Sequence, residues 1–333
     1  MKVDYYITRN GVIERKQNTV YFIYKEGDEV VKKPLPVEKI RSFYITAKVT
    51  IKSGALSFLM KNGIVAHFFN KYGWYEGTFY PREKLISGDL IVRQVENYLN
   101  LEKRMAIARE FVRGSIDNMI LNLRYYSRTK TDLSDFISTM EKCKSLCDGV
   151  RSIQELMAME GNARDSYYKS WDFILRGNFE FEKRSRRPPE NMVNAMISYG
   201  NSLLYSACIS EIYNTQLHPA ISYLHEPFER RFSLALDIAE IFKPLIVDRL
   251  IFKVVNKQVI KNEHFVKDLN SCILNDHGKR LFLSEYERRM NTTVKHRTLG
   301  RNVSYRRLIR LECYKLIKHL LGIKSYRAFR MWW

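Results

Sequence analysis

This 333-residue sequence predicts an α+β protein, a small amino-terminal β-rich domain followed by a larger all-α carboxyl-terminal domain. Three observations lead there. Runs rich in Val, Ile, Tyr and Phe, separated by turn residues, fill the first eighty or so positions. From Asp89 the apolar residues recur every three or four positions instead. The chain also exceeds the roughly 100 to 200 residues of one domain.

In the β-rich domain, set at 1–85, Asn10-Gly11 reads as the hairpin turn between VDYYITR and VIERKQNTVYFIY. Further strands are expected in FYITAKVTI at 43 to 51, IVAHFF at 64 to 69 and WYEGTFY at 74 to 80, with Gly54, Asn62-Gly63 and Tyr72-Gly73 between them. ALSFLMKN reads as a short helix. In the helical domain, 86–333, the stripe Leu90, Ile91, Val95, Tyr98, Leu101, Met105, Ala108 and Val112 opens one amphipathic helix or two. Helical patterns continue to the end, broken at Pro188-Pro189, Pro219, Pro227 and Pro244, where a helix end is expected.

Fifty-six Lys and Arg against thirty-six Asp and Glu give a formal charge of +20. Such a field attracts polyanions, either nucleic acid or an anionic membrane surface. No apolar run approaches the ~18 to 20 residues that span a bilayer, and MKVDYYITRNG lacks the apolar stretch of a signal peptide, so a cytoplasmic protein is expected. Five scattered cysteines fit reduced thiols; Cys143 and Cys147 have the spacing of half a zinc site, but no second pair stands nearby. Residues 295–333 hold eleven Lys or Arg and one acid, Glu312. With Tyr305, Leu308, Ile309 and Leu316 supplying an apolar face, this segment predicts a helix with one strongly positive side.

The sharpest anomaly is SLALDIAEIFKP, where Asp237 and Glu240 stand three apart on a helix apolar nearly all round. A buried, unpaired carboxylate costs several kcal/mol, so the pair needs a cation or hydrogen-bond donors. A metal ion or an ion pair with Arg230, Arg231 or Arg249 serves equally well on spacing alone. His225 lies just upstream in Tyr223-Leu224-His225-Glu226-Pro227. A lone histidine there is more often a hydrogen-bonded core residue than a ligand, although the acid pair nearby raises its interest. Glu160 and Arg164 share a helical stripe in MEGNARDSYYKS, and an i, i+4 ion pair is the plain account of them. Lys183, Arg184, Arg186 and Arg187 precede Pro188-Pro189 and a helix start near Asn191, a place suited to phosphate or simply to solvent.

In order along the chain, the Glu-Gly-x-x-Ala-Arg segment at 160–164, R-x-R-R-P-P…N-A…S-Y-G at 184–200, L-H-E at 224–226 and S-L-A-L-D-x-x-E-x-F-x-P at 233–244 resemble the CRISPR-associated integrases of spacer acquisition. The resemblance extends to the Asn10-Gly11, 62–69 and GWYEG segments and to Y-R-R-L-I-R-L-E at 305–312, essentially the whole chain. It implies a DNA endonuclease and integrase in which Glu160, His225 and Glu240 hold one metal, Mg2+ or Mn2+, with Asp237 as an additional acid of the site. Ser222 and His218 depart from the family pattern without touching those positions. The implied reaction is attack by a DNA 3′-hydroxyl on a phosphodiester at the edge of a CRISPR repeat, with nicking when water attacks instead.

Arg164, Arg184, Arg186, Arg187, Arg306, Arg307 and Arg310 are the candidate DNA-binding residues for double-stranded and branched DNA. The resemblance further implies a homodimer through the β domain and a small ferredoxin-like Cas partner that completes a heterohexamer, with no membrane. Two other readings stay open: a non-catalytic DNA-binding scaffold whose acids are merely paired with arginines, and an RNA-processing nuclease.

Overall fold

The computed structural model describes residues 2–128, 131–177, 179, 181, 183–185, 188–227, 232–268 and 271–332. The chain divides into two units, Met1–Lys84 and Leu85–Trp333.

The first unit runs β1 (Val3–Ile7), β2 (Gly11–Lys16), β3 (Thr19–Glu26), β4 (Glu29–Leu35), β5 (Ile40–Ile45), β6 (Val49–Ile51), α1 (Ser53–Lys61), β7 (Val65–Phe69) and β8 (Tyr75–Phe79). The strands form two four-stranded sheets, in the orders β1-β5-β7-β8 and β4-β3-β2-β6. Ile13, Val20 and Phe22 of one sheet and Ile7, Phe43, Ile45 and Ala66 of the other share one core with Ala55 and Leu59 of α1.

Asn10-Gly11 is not a hairpin turn. β1 runs parallel to β5 in one sheet, whereas β2 belongs to the other. Gly11 serves a close approach, because a Cβ there would lie 2.4 Å from the carbonyl oxygen of Ile23. The first hairpin is β2–β3, turning beside Gln17, which takes a φ of 54°. FYITAKVTI is likewise divided, β5 going to one sheet and β6 to the other. β4, which the apolar pattern did not show, is an edge strand carrying Lys32, Lys33 and Pro34, residues that discourage further pairing.

The second unit contains α2 (Gly88–Leu99), α3 (Leu101–Ser127), α4 (Ser134–Leu146), α5 (Ile153–Lys169), α6 (Met192–Tyr213), α7 (Ser233–Lys243), α8 (Arg249–Asn256), β9 (Phe265–Asp268), β10 (Ser271–Leu274), α9 (Asp276–Asn291), β11 (Thr293–Lys295), β12 (Asn302–Ser304) and α10 (Tyr305–Leu320). Two short antiparallel ribbons, β9–β10 and β11–β12, thus interrupt a helical unit expected to be all-α; three- and four-residue strands are too short to set an alternating pattern. Helix starts follow local chemistry. Ser152, Asn191 and Ser304 each accept a backbone N–H of the first turn of α5, α6 and α10.

α7 ends at Lys243, directly before Pro244 as expected, but the helical path does not stop there. The chain continues through a π-helical turn, Pro244–Asp248, into α8. Proline lacks an N–H and the wide turn shifts the hydrogen-bond ladder, so carbonyls here lose their usual donors. Side chains replace them. Asn118 donates to Ile241 (3.0 Å), Asn122 to Pro244 (2.7 Å) and Arg289 to Leu245 (2.6 Å). α3 thereby fixes the height and rotation of α7. The carboxyl-terminal segment lies back on α3: a Cβ at Gly114 would meet Ala328 at 2.6 Å, and Glu110 accepts the Ala328 N–H at 3.0 Å. Among the described residues no helix is long and apolar enough to cross a membrane.

Candidate active site

Asp237, expected as a further site acid, is fully buried and turned toward the 223–225 loop. Its carboxylate accepts the backbone N–H groups of Tyr223 (2.7 Å), Leu224 (3.0 Å) and His225 (3.0 Å), and also faces His225 Nδ1 at 2.8 Å. Four contacts saturate it, so it positions His225 rather than offering oxygens to an ion. The loop is tied down elsewhere too. Ser222 Oγ donates to the His225 carbonyl at 2.6 Å, and Arg104 of α3 reaches the Tyr223 carbonyl (2.8 Å) and Glu226 (2.7 Å). His218 serves a turn, accepting the Ala220 N–H at Nδ1.

With Nδ1 committed to Asp237, Nε2 is the His225 nitrogen left to face a further partner. This is the arrangement in which a carboxylate sets tautomer and ring direction for a metal-binding histidine. Burial pushes the imidazole pKa down, but the Asp237 hydrogen bond and the charges of Asp237 and Glu240 outweigh it and leave the pKa raised.

Glu160 on α5 and Glu240 on α7 meet at one nitrogen. Arg164 Nη2 lies 2.5 Å from Glu160 Oε1 and 2.6 Å from Glu240 Oε2, while Arg164 Nε also donates to Glu160 at 2.6 Å. Lys243, one turn along α7, pairs with the other Glu240 oxygen. Burial would raise the Glu240 pKa, yet Lys243, Arg164 and His225 together hold it at about 2. Glu240 therefore contributes stability above the ordinary carboxylate range that is lost as pH falls from about 4.5 toward 2. Thermal unfolding of Glu240→Gln and the unsubstituted protein should differ at pH 6 and converge toward pH 2.5, and a constant difference would contradict this.

Glu160 thus makes the i, i+4 ion pair with Arg164 that its spacing predicts, and that pair joins Glu240. Arg249 takes no part as a partner of the acids, donating instead to Asn122 at 2.7 Å; Arg230 and Arg231 lie outside the described residues. Among the described residues no three His, Cys, Asp or Glu side chains converge closely enough, as they stand, to grip a metal ion. Two carboxylates sharing one nitrogen, and an imidazole with a directed Nε2, are nevertheless oxygen and nitrogen groups of the kinds that divalent ions take, and Arg164 supplies the positive charge between the carboxylates.

The expected DNA-binding arginines divide. Arg164, half-buried, is held between the carboxylates rather than turned to a phosphate. Arg306 is 3% exposed and paired with the half-buried Glu287, and Arg310 is held by the buried Glu211 at 2.6 Å, so two members of the predicted positive face neutralise acids of neighbouring helices. Arg307 is exposed on α10. Arg184 folds onto the start of α6, donating to Asn194 (2.9 Å) and Ser198 (3.1 Å). Arg186 and Arg187 lie outside the described residues. Sequence reasoning missed Lys243, which its i+3 position relative to Glu240 could have signalled. It also missed Ser115, whose hydroxyl receives Arg164 at 3.1 Å from another helix.

A β-rich unit followed by a helical one that gathers two carboxylates, an oriented imidazole and basic side chains is the build of an enzyme for phosphodiester chemistry. The family model of CRISPR associated protein Cas1 matches residues 5–288. A CRISPR-associated endonuclease Cas1 of Methanothermobacter thermautotrophicus is 54% identical over 330 residues, covering 99% of this chain and 95% of its own. The solved structure of a Cas1 protein from Thermotoga maritima superposes with a TM-score of 0.89 at 42% identity, covering 98% of this chain and all of that one. A casposase bound to integration product shares the fold at 20% identity, with a TM-score of 0.85 over 99% of this chain and 93% of its own. The chain belongs to the Cas1 family of CRISPR-associated endonucleases.

Proposed function

We propose that this protein joins new DNA into a CRISPR array and cuts branched DNA at one divalent-metal site formed by Glu160, His225 and Glu240. The observation that carries this is the meeting of Glu160 and Glu240, 80 positions apart in the sequence, at a single Arg164 nitrogen beside the Asp237-oriented imidazole. Arg–carboxylate pairs are frequently bidentate to one carboxylate; here one guanidinium nitrogen joins carboxylates from two helices.

Bound there, Mg2+ or Mn2+ would supply Lewis-acid stabilisation of the charge that builds on the phosphate oxygens during in-line displacement. Glu160 and Glu240 would hold it, with His225 Nε2 as third donor, and Asp237 would keep that nitrogen directed inward. In joining, the attacking 3′-oxygen forms a new bond to phosphorus, the bridging bond to the leaving 3′-oxygen breaks, and the proton passes from the attacking to the leaving oxygen. One phosphodiester replaces another, so no nucleotide needs to be consumed. With water as the attacking group the same displacement nicks the strand.

The exposed Arg307 and the basic loop at 183–187 are the proposed phosphate contacts, and the β unit the proposed homodimer surface. The small ferredoxin-like Cas partner and the heterohexamer follow from the same family reading. The test compares branched DNA, linear duplex DNA and RNA at one salt concentration, with Mn2+ and with EDTA. Metal-dependent cleavage and joining of DNA, with binding that falls steeply as salt rises, is expected. Faster cleavage of RNA, or DNA binding with no metal-dependent turnover, would favour the RNA-processing or scaffold reading.

A further inference from the structure

The hydrogen bonding at Arg164 is more crowded than that of an ordinary ion pair. Nη2 carries two hydrogens and faces three acceptors: Glu160 Oε1, Glu240 Oε2 and Ser115 Oγ. About two turns past Glu240, the π-helical segment ends at Asp248, which is 1% exposed. Tyr167 donates to Asp248, and that phenol in turn receives the Asn122 amide at 2.9 Å. Asp248 Oδ2 is buried without a hydrogen-bond partner. Asp248 and Arg164 are close enough for each charge to act on the other, and burial pushes the Asp248 carboxyl up to about 7. A buried carboxyl oxygen with no donor is costly, and such a group calls for a physical reason.

We propose that Arg164 is a displaceable resident cation, holding Glu160 and Glu240 together before the divalent ion enters and withdrawing to Asp248 when it does. The inference rests on the reading that Glu160, His225 and Glu240 take that ion. It makes Arg164 and Asp248 positioning residues for the site rather than contacts of the substrate. Without a cation between them, two partly buried carboxylates facing each other would repel and open the bridge between α5 and α7. With the ion in place, an arginine on the same oxygens would compete with it, and Asp248, near enough for its charge to act on Arg164, gives the guanidinium a second carboxylate.

The test uses Mn2+ alone as probe, on the full chain without DNA. Free Mn2+ is followed by its paramagnetic resonance signal, and Tm is measured in EDTA and in saturating Mn2+. Arg164→Met is expected to lower Tm in EDTA and to recover more in Mn2+ than the unsubstituted protein does, with Mn2+ bound about tenfold tighter once the competitor is gone. Unchanged or weaker Mn2+ binding by a folded Arg164→Met would make Arg164 a fixed brace and overturn the proposal. Should that variant not fold, Arg164→Lys answers the same question, since a point charge bridges two carboxylates less well and the affinity should again rise. Asp248→Asn should bind Mn2+ about tenfold more weakly while keeping its Tm in EDTA; equal affinity would remove Asp248 from the exchange. If Glu160→Gln and Glu240→Gln leave the Mn2+ titration unaltered, the failure lies in the metal reading beneath.

Discussion

Glu160→Gln and Glu240→Gln should each lower metal-dependent cleavage and joining by at least about three orders of magnitude. Binding of branched DNA should stay within about twofold. The amides keep the side-chain volume and can still accept from Arg164, so the bridge between α5 and α7 survives while a charged donor to the ion is lost. Separation of the two readouts is the informative result. Gel-shift and nicking assays on one preparation, with circular dichroism to verify folding, measure both. Equal loss of binding and turnover would point to a collapsed helix contact, and retained turnover would remove the residue from the metal set.

The second large effect concerns stability. Asp237→Ala should destabilise the helical unit by about 3 to 5 kcal/mol, because it strands three backbone N–H groups and the His225 ring N–H in a buried place at once. Against a typical net stability of about 5 to 15 kcal/mol, that is a large share. Asp237→Asn keeps the volume but presents an amide where the loop offers only donors, and it lets His225 flip its tautomer. A further 10- to 100-fold loss of metal affinity or turnover is expected from the misdirected imidazole. Chemical denaturation of the three proteins, paired with Mn2+ titration, checks both parts. An Asp237→Ala protein as stable as the original would contradict the role assigned to this side chain.

How far each feature could be read in advance follows from its physical range. Period is a local property, so the change from strand to helix near position 88 and the amphipathic course of α2 and α3 are visible along the chain. Pairing is not local. Asn10-Gly11 has the composition of a tight turn, but the partner of β1 is β5, some 35 residues away, and Gly11 answers to the carbonyl of Ile23 instead. Pro244 has the composition of a helix stop, yet α3 and α9 supply the donors that let the chain pass through it. Arg306 and Arg310 look like a basic face from the sequence because Glu287 and Glu211, which neutralise them, sit on other helices.

The candidate site shows the same division. Glu160, His225, Asp237 and Glu240 were all identifiable as residue types out of keeping with their apolar surroundings or as members of an ordered motif set. What each does was not. Spacing suggested that Asp237 and Glu240 act as a pair, but the fold gives one to a loop and its histidine and the other to Arg164 and Lys243.

From the chain alone came the α+β class, the large positive charge, the helical periodicity and the small set of acids and one histidine able to carry chemistry, because composition and short-range spacing are written in consecutive residues. Only the tertiary structure decided which carboxylate meets which base, which arginines are spent on buried acids, and that Arg164 stands between Glu160 and Glu240. Those outcomes depend on side chains brought together from distant helices, where a few ångströms determine whether a charge is solvated, paired or shared.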